Sequence, residues 1–313
     1  MLLNILLALV GFALLLKGAD IFVDGAASLA KNFKIPTVVI GLTIVAFGTS
    51  APELAISFSS HLSGNTDMLF GNVIGSNISN IFVILGITAL LIPIKLQESA
   101  VKKEIPLLLL VTAVVSIIFL DMPIRGAEQN ALTRADAVIL LLFFCFFCYY
   151  LVTIVKSEQN LTAPKYKLPK AIFFIILGLA GIIVGSDLVV NNAAQFAESI
   201  GISQKVIAVT IISVGTSLPE LVTAITAVRK GENSMAIGSI VGSNIFNICI
   251  VLGLPVIFLG EVYTMAFGIV DIAFMLLAVI MLWVFSYDKK IKRYEGILFL
   301  MVYVVYVGYV VMQ

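Results

Sequence analysis

Histidine is almost absent from this chain. His61 is the one copy in 313 residues, which excludes a His-based metal site and a His-centred triad. Cysteine is scarce as well, with Cys145, Cys148 and Cys249 all inside apolar runs. Cys145-Phe-Phe-Cys148 has the spacing of a redox motif, but its surroundings, LLLFFCFFCYY, are not thioredoxin-like, so plain buried thiols are expected. Charge is the third shortage. Asp, Glu, Lys and Arg make up 12% of the chain, against about 25% in a soluble domain. A net charge of +1 offers no basic surface to a nucleic acid. A Walker A motif, a Gly-x-Gly-Asp motif and a His near a core Ser are all missing, so nothing supports an enzyme.

What fills the chain instead is apolar sequence, 61% of all residues. Met68–Ile94 and Asn233–Gly260 carry no charge over 27 and 28 residues, each longer than the roughly 20 that cross a bilayer. Apolar runs bounded by charges and turn residues predict ten helices, at about 2–31, 36–60, 67–93, 104–121, 137–155, 170–198, 204–228, 233–259, 265–287 and 296–312. The first and sixth are long enough to tilt or to project beyond the lipid. The predicted fold class is an all-α membrane protein of ten transmembrane helices, without room for a second, soluble domain. The first run lacks a basic n-region and is expected to be retained rather than cleaved.

Lys and Arg are unevenly shared between the loops. Those after odd-numbered helices hold 15, the opposite loops hold Arg125, Arg134 and Lys205, and Lys17 lies inside the first helix. The bias places the odd-numbered loops in the cytoplasm and both termini outside, in a multi-pass protein of the cell membrane.

The chain also repeats itself. At an offset of 167, Gly48-Thr49-Ser50-Ala51-Pro52-Glu53 matches Gly215-Thr216-Ser217-Leu218-Pro219-Glu220. Gly71-Asn72-Val73-Ile74-Gly75-Ser76-Asn77 matches Gly238-Ser239-Ile240-Val241-Gly242-Ser243-Asn244. Residues 18–86 share 28 identities in 69 positions with their counterparts, far above what apolar composition produces. Two five-helix halves, 1–155 and 170–313, are expected, joined by a short cytoplasmic connector at 156–169. An odd helix number inverts the second half, and such inverted repeats place a transporter's site at the midplane between them.

Glu53 and Glu220 fall in the middle of apolar helices, where an ionisable side chain marks a functional site by default. The bland alternative is a protonated Glu bonded to a neighbouring helix, and two such residues at equivalent positions weigh against it. Thr49 and Ser50 share a helix face with Glu53. Pro52 cannot donate to the Gly48 carbonyl, which frees that oxygen. The second copy offers Thr216, Ser217, Glu220 and the Gly215 carbonyl. Hard oxygen donors of this kind select Ca²⁺, Na⁺ or Mg²⁺. Ser76 with Asn80, and Ser243 with Asn247, sit four apart on one face, as ligands or as interhelical hydrogen bonds. The Gly71/Gly75 and Gly238/Gly242 pairs are expected to let helices pack within a repeat. Asp20, Asp24, Asp187 and Lys17 fit either structural pairing, such as Lys17 with Asp20, or a cation access path.

At these doubled motifs the sequence resembles the sodium/calcium exchanger family of the cation/calcium antiporter superfamily, over essentially its whole length. The resemblance implies long, sliding first and sixth helices and a central cation cluster. It implies ligands at Thr49, Ser50, Glu53, Ser76 and Asn80 with the Ala46 carbonyl, and at Thr216, Ser217, Glu220, Ser243 and Asn247 with the Ser213 carbonyl. Several relatives carry Asp where this chain has Asn247, so only two carboxylates remain here.

The expected function is a secondary antiporter that exchanges Ca²⁺ for Na⁺, probing both sides by alternating access and extruding Ca²⁺. Two ionised Glu make a −2 site that one Ca²⁺ or two Na⁺ neutralise. A Ca²⁺/H⁺ exchanger is the alternative, and a cation channel a weaker one. No cofactor is expected, because Ca²⁺ and Na⁺ bind as substrates. K⁺ or H⁺ involvement is left open, and beyond the ions and the lipid bilayer no protein partner is implied.

Overall fold

A computed structural model describes residues 2–120, 130–155, 163–200, 213–264 and 269–312. Arg125, Lys205, much of the connector and the start of the 204–228 helix lie outside these residues.

The described chain is helical almost throughout. Its helices are α1 (Leu2–Phe33), α2 (Thr37–Thr49), α3 (Ala51–Leu62), α4 (Thr66–Leu91), α5 (Ile105–Ile118), α6 (Arg134–Val155), α7 (Leu168–Ser199), α8 (Ser213–Thr216), α9 (Leu218–Arg229), α10 (Asn233–Leu259), α11 (Ile269–Phe285) and α12 (Arg293–Met312). Six of them are long and apolar enough to cross a membrane, and α2 with α3, bent by 45°, make a seventh candidate. α11, at 17 residues, is a shorter apolar helix. The predicted span at 104–121 appears as a π turn, Ala100–Glu104, running into α5.

Burial separates an inner pair from an outer shell. The most apolar windows of α4 and α10 are 83% and 89% buried, whereas those of α1, α6, α7 and α12 are 22–28% buried. The outer helices therefore present their Leu, Val, Ile and Phe side chains outward, as lipid-facing helices do. The long helices α1 and α7 pack against each other in opposite directions through a line of small residues. Gly11 meets Gly185, Gly18 meets Gly178, and Gly25 meets Ala171. A Cβ added to Gly18 would lie 2.8 Å from the Gly178 carbonyl oxygen. Without hydrophobic driving force in lipid, such close backbone approach is a main source of helix association.

The Gly238 and Gly242 pair packs differently from the sequence expectation. A Cβ on Gly242 would meet the Leu42 carbonyl at 2.7 Å and the Ala46 Cβ at 2.9 Å, so these glycines admit α2 of the other half. A Cβ on Gly75 would meet nothing within 4 Å.

Two short antiparallel pairs tie the loops together. β1 (Ile94–Lys95) pairs with β4 (Lys290–Ile291), and β2 (Asn130–Leu132) pairs with β3 (Val262–Thr264). Each joins a loop of the first half to a loop of the second.

Candidate functional site

The site forms where α2–α3 and α8–α9 break. Pro52 and Pro219 stand in the first turn of α3 and α9, where a missing N–H costs no helical bond. The residues before these helices, Ser50 (φ −89°, ψ 8°) and Ser217 (φ −90°, ψ 2°), leave helical geometry in the same way. Glu53 and Glu220 then fall in the first turn of α3 and α9, which suits a carboxylate. They are 1% and 2% exposed.

The two breaks meet. The Ser50 hydroxyl donates to Glu220 Oε1 at 3.0 Å, and Thr49 also lies against that carboxylate. Glu53 and Glu220 are close enough to interact electrostatically. The Ser243 hydroxyl reaches the Ala46 carbonyl at 3.4 Å, and the Asn247 amide donates to Ser76 Oγ at 3.0 Å. Each of these hydrogen bonds crosses from one half of the sequence to the other. Asn80 and Asn247 are buried, and each opens a π turn, Asn80–Leu85 and Asn247–Val251. A third π turn, Gly41–Val45, immediately precedes Ala46. Such turns inside α-helices are frequent at functional sites.

Several buried acceptors here have no protein partner among the described residues: Glu53 Oε2, Glu220 Oε2, Ser217 Oγ and Asn247 Oδ1. An unpaired polar atom in a dry interior is costly unless something else satisfies it. Buried carboxylate, hydroxyl and amide oxygens of this kind fit a hard cation as transported substrate. Among the described residues no three His, Cys, Asp or Glu come together, so the donor set is mixed oxygen rather than an acidic cage.

Not every expected ligand is arranged alike. The Ala46 carbonyl already accepts the Ser50 N–H at 3.0 Å as well as the Ser243 hydroxyl. Thr49 donates to the Val45 carbonyl of its own helix at 3.0 Å. Thr216 is half-buried, one residue before the break. Ser213 opens α8, and its side chain lies outside the described residues. The Gly215 carbonyl, expected to be free, accepts the Ser186 hydroxyl from α7 at 3.2 Å. Asp20 also departs from expectation, since it pairs with Lys230 and not with Lys17.

The family model for the sodium/calcium exchanger protein matches residues 3–153 and again 170–312. The chain belongs to the sodium/calcium exchanger family. Like other exchangers it is a multi-pass membrane transporter and not an enzyme. It is 39% identical to a putative antiporter, CaxA, of Alkalimonas amylolytica, over 98% of both chains. It is 32% identical to the sodium/calcium exchanger MaX1 of Methanosarcina acetivorans, over 97% of both. Its fold matches a solved structure of the sodium-calcium exchanger NCX_Mj soaked with 10 mM Na⁺ and zero Ca²⁺, with a TM-score of 0.85, 30% identity and 98% of each chain covered.

In this exchanger two supporting residues escaped the sequence reading. Asn72 donates to the Glu53 backbone carbonyl at 2.9 Å and to Ser57 Oγ at 3.1 Å, pinning α4 to the turn that carries Glu53. Its counterpart is Ser239, and that mismatch inside the repeated motif was the available signal. Ser186 likewise stands opposite Ala19, so only one half can make its bond to a break carbonyl.

Proposed function

We propose that this exchanger is a secondary antiporter that moves Ca²⁺ in one direction and Na⁺ in the other across the cell membrane. The carrying observation is the Ser50–Glu220 bond, which brings the two doubled motifs into one buried cluster beside acceptors without protein partners. Ten spans in two inverted five-helix halves, 1–155 and 170–313 with the connector between, frame that cluster. The antiparallel Gly11–Gly185 and Gly18–Gly178 contacts support the inversion, since an offset of 167 exchanges one pair for the other. The ligands are Glu53 and Glu220 with the Thr49, Ser50, Ser76, Thr216, Ser217 and Ser243 hydroxyls, the Asn80 and Asn247 amides, and the Ala46 and Ser213 carbonyls. The odd-numbered loops face the cytoplasm and the termini face outside.

The mechanism follows from charge. Two ionised Glu leave the site at −2, and one Ca²⁺ or two Na⁺ bring it to neutrality. Moving an uncompensated buried charge through a low-dielectric barrier is expensive. Either cation set therefore favours the change of access and the empty site resists it, which couples the two fluxes. Each ion shifts the equilibrium only through its different affinity for the two states. Na⁺ entry then drives Ca²⁺ out.

The test is radiolabelled Ca²⁺ uptake into proteoliposomes under an outward Na⁺ gradient, and separately under a pH gradient. Uptake that saturates and needs Na⁺ on the opposite side is expected. Uptake driven by the pH gradient alone would make the protein a Ca²⁺/H⁺ exchanger, and uptake without any counter-ion would make it a channel.

A further inference from the structure

The described ion pairs gather on the Lys-rich side. The most connected group ties α1 to the loop between α9 and α10. Lys230 Nζ lies 3.0 Å from Asp20 Oδ1 and 2.8 Å from Asp24 Oδ1, and it donates to the Asp20 carbonyl at 2.7 Å. Lys165, from the connector, reaches the second Asp24 oxygen at 2.6 Å. Lys31 and Glu232 face each other at 3.8 Å. The Asp24 and Lys230 side chains are only 20% and 23% exposed, so salt screens them less than a free surface pair. Cavities of about 430 and 300 Å³ flank the group, and Lys230 lines both.

The repeat supplies an internal comparison. Lys230 corresponds to Ser63, Glu232 to Asn65, Asp24 to Asn191 and Lys31 to Glu198. The backbones of the two loops agree, since Gly64 and Gly231 both take positive φ, 72° and 82°. Their side chains do not. On α7, Asn191 donates to Asp187 of its own helix at 2.8 Å. The repeat-related contact thus lacks the Lys that joins helix to loop.

We propose that Asp20, Asp24, Lys165 and Lys230 form an ionic clamp that holds the cytoplasmic gate shut. The attachments of α1 at Lys230, and the weaker one between Lys31 and Glu232, must break before α1 can leave the α9–α10 loop. Opening toward the cytoplasm then depends on ionic strength. The proposal rests on the alternating-access reading, but its readout is accessibility rather than flux. Exchange could fail and the clamp stand, or the reverse.

The experiment places a single cysteine at Thr226, which lines the larger cavity. The full chain, with Cys145, Cys148 and Cys249 replaced by Ala, is labelled by an impermeant maleimide from the cytoplasmic side of inverted membrane vesicles. Labelling should quicken as KCl rises from about 20 to about 500 mM, where the screening length falls from about 20 to about 4 Å. Lys230→Gln should label about three- to tenfold faster at low salt, the size that one or two partly exposed ion pairs carry. It should also lose the salt dependence, while Lys230→Arg keeps both. Asp20→Asn combined with Asp24→Asn removes the anions instead and should behave like Lys230→Gln. Parental rate and salt dependence in the charge-removing variants, or labelling indifferent to salt in the parent, would overturn the clamp.

Discussion

The Ser50 hydroxyl sits 3.0 Å from Glu220 Oε1, although 170 residues separate them in the chain. Each belongs to a Gly-Thr-Ser-x-Pro-Glu segment, and each segment alone supplies one carboxylate. The bond ties the two motifs together: the hydroxyl of one break serves the carboxylate of the other. Glu53 lies in electrostatic reach of Glu220, so the proposed −2 charge would be shared by both halves.

Removal of either carboxylate should therefore stop exchange. Glu53→Gln and Glu220→Gln are each expected to abolish Na⁺-driven Ca²⁺ uptake while the protein remains monodisperse after purification. A divalent cation left with one anionic partner in a low-dielectric site loses its largest attraction. Ser50→Ala should be milder, weakening Ca²⁺ affinity about 10- to 100-fold, the range of a hydrogen bond to a charged group. Calorimetric titration with Ca²⁺ checks the order. Near-parental uptake by Glu53→Gln together with Glu220→Gln would show that the cluster is not the transport site.

Gly178 sits in the α1–α7 contact, and its substitution should be felt through packing. A Cβ there would lie 2.7 Å from the Phe22 backbone nitrogen and 2.8 Å from the Gly18 carbonyl, neither of which can swing away. Gly178→Ala is expected to cost about 1–3 kcal/mol, the usual range for overpacking. Gly308 in α12 is the control, because a Cβ there meets nothing within 4 Å. Gly308→Ala should be neutral or slightly stabilising, since Ala is the better helix former. Thermal melts in detergent decide it, and equal melting temperatures would mean that the α1–α7 contact is loose.

Much of this architecture was legible in the sequence because it rests on residues that punctuate. Pro52 and Pro219 mark the helix breaks, and the carboxylates one residue later mark the buried charge. Other features leave no such mark. A π turn adds one residue to a hydrogen-bonded ring without any fixed composition, so Asn80–Leu85 and Asn247–Val251 read as ordinary helix. The partner of a small residue is a tertiary fact, and Gly242 could not announce that it packs on Leu42 and Ala46 of the other half. Ser186 is a common residue in a long apolar helix, and only its contact with the Gly215 carbonyl distinguishes it.

Glu98 joins the loop after α4 to the loop after α11, and pH should expose that link. Its carboxylate meets Lys102 at 2.5 Å and Lys289 at 2.8 Å, and the two ammonium groups hold its pKa down to about 2 from 4.5. A depressed carboxyl contributes stability above its unfolded value and loses it as pH falls through the folded one. The melting-temperature difference between the native protein and Glu98→Gln should thus be constant from neutral pH to about 5. It should vanish as pH falls from about 4.5 toward 2. Because Glu98 is fully exposed, the difference should be small and should shrink in high salt. A difference that grows on acidification would assign Glu98 another role.

Asn247 tests the charge argument from the other direction. Its amide donates to Ser76 Oγ at 3.0 Å, and its Oδ1 has no protein partner although the residue is 1% exposed. A neutral amide supplies an acceptor oxygen without adding charge. Asn247→Asp keeps the size and the oxygen but removes the donor, so Ser76 must turn its hydroxyl around to reach the new carboxylate. If ionised, that carboxylate takes the site from −2 to −3. One Ca²⁺ then no longer neutralises it, and a third Na⁺ or a proton must accompany the cycle, because an unpaired buried charge costs several kcal/mol. Two Na⁺ exchanged for one Ca²⁺ move no net charge, whereas a third Na⁺ would make the variant's exchange electrogenic, with a current and a reversal potential. A proton that stays bound through both steps would keep exchange electroneutral and give transport a new dependence on pH. The measurement is the transport current and the pH profile of proteoliposomes holding the native protein or Asn247→Asp. A variant with both unchanged would place Asn247 outside the ion cluster, and α10 would then contribute through Ser243 alone.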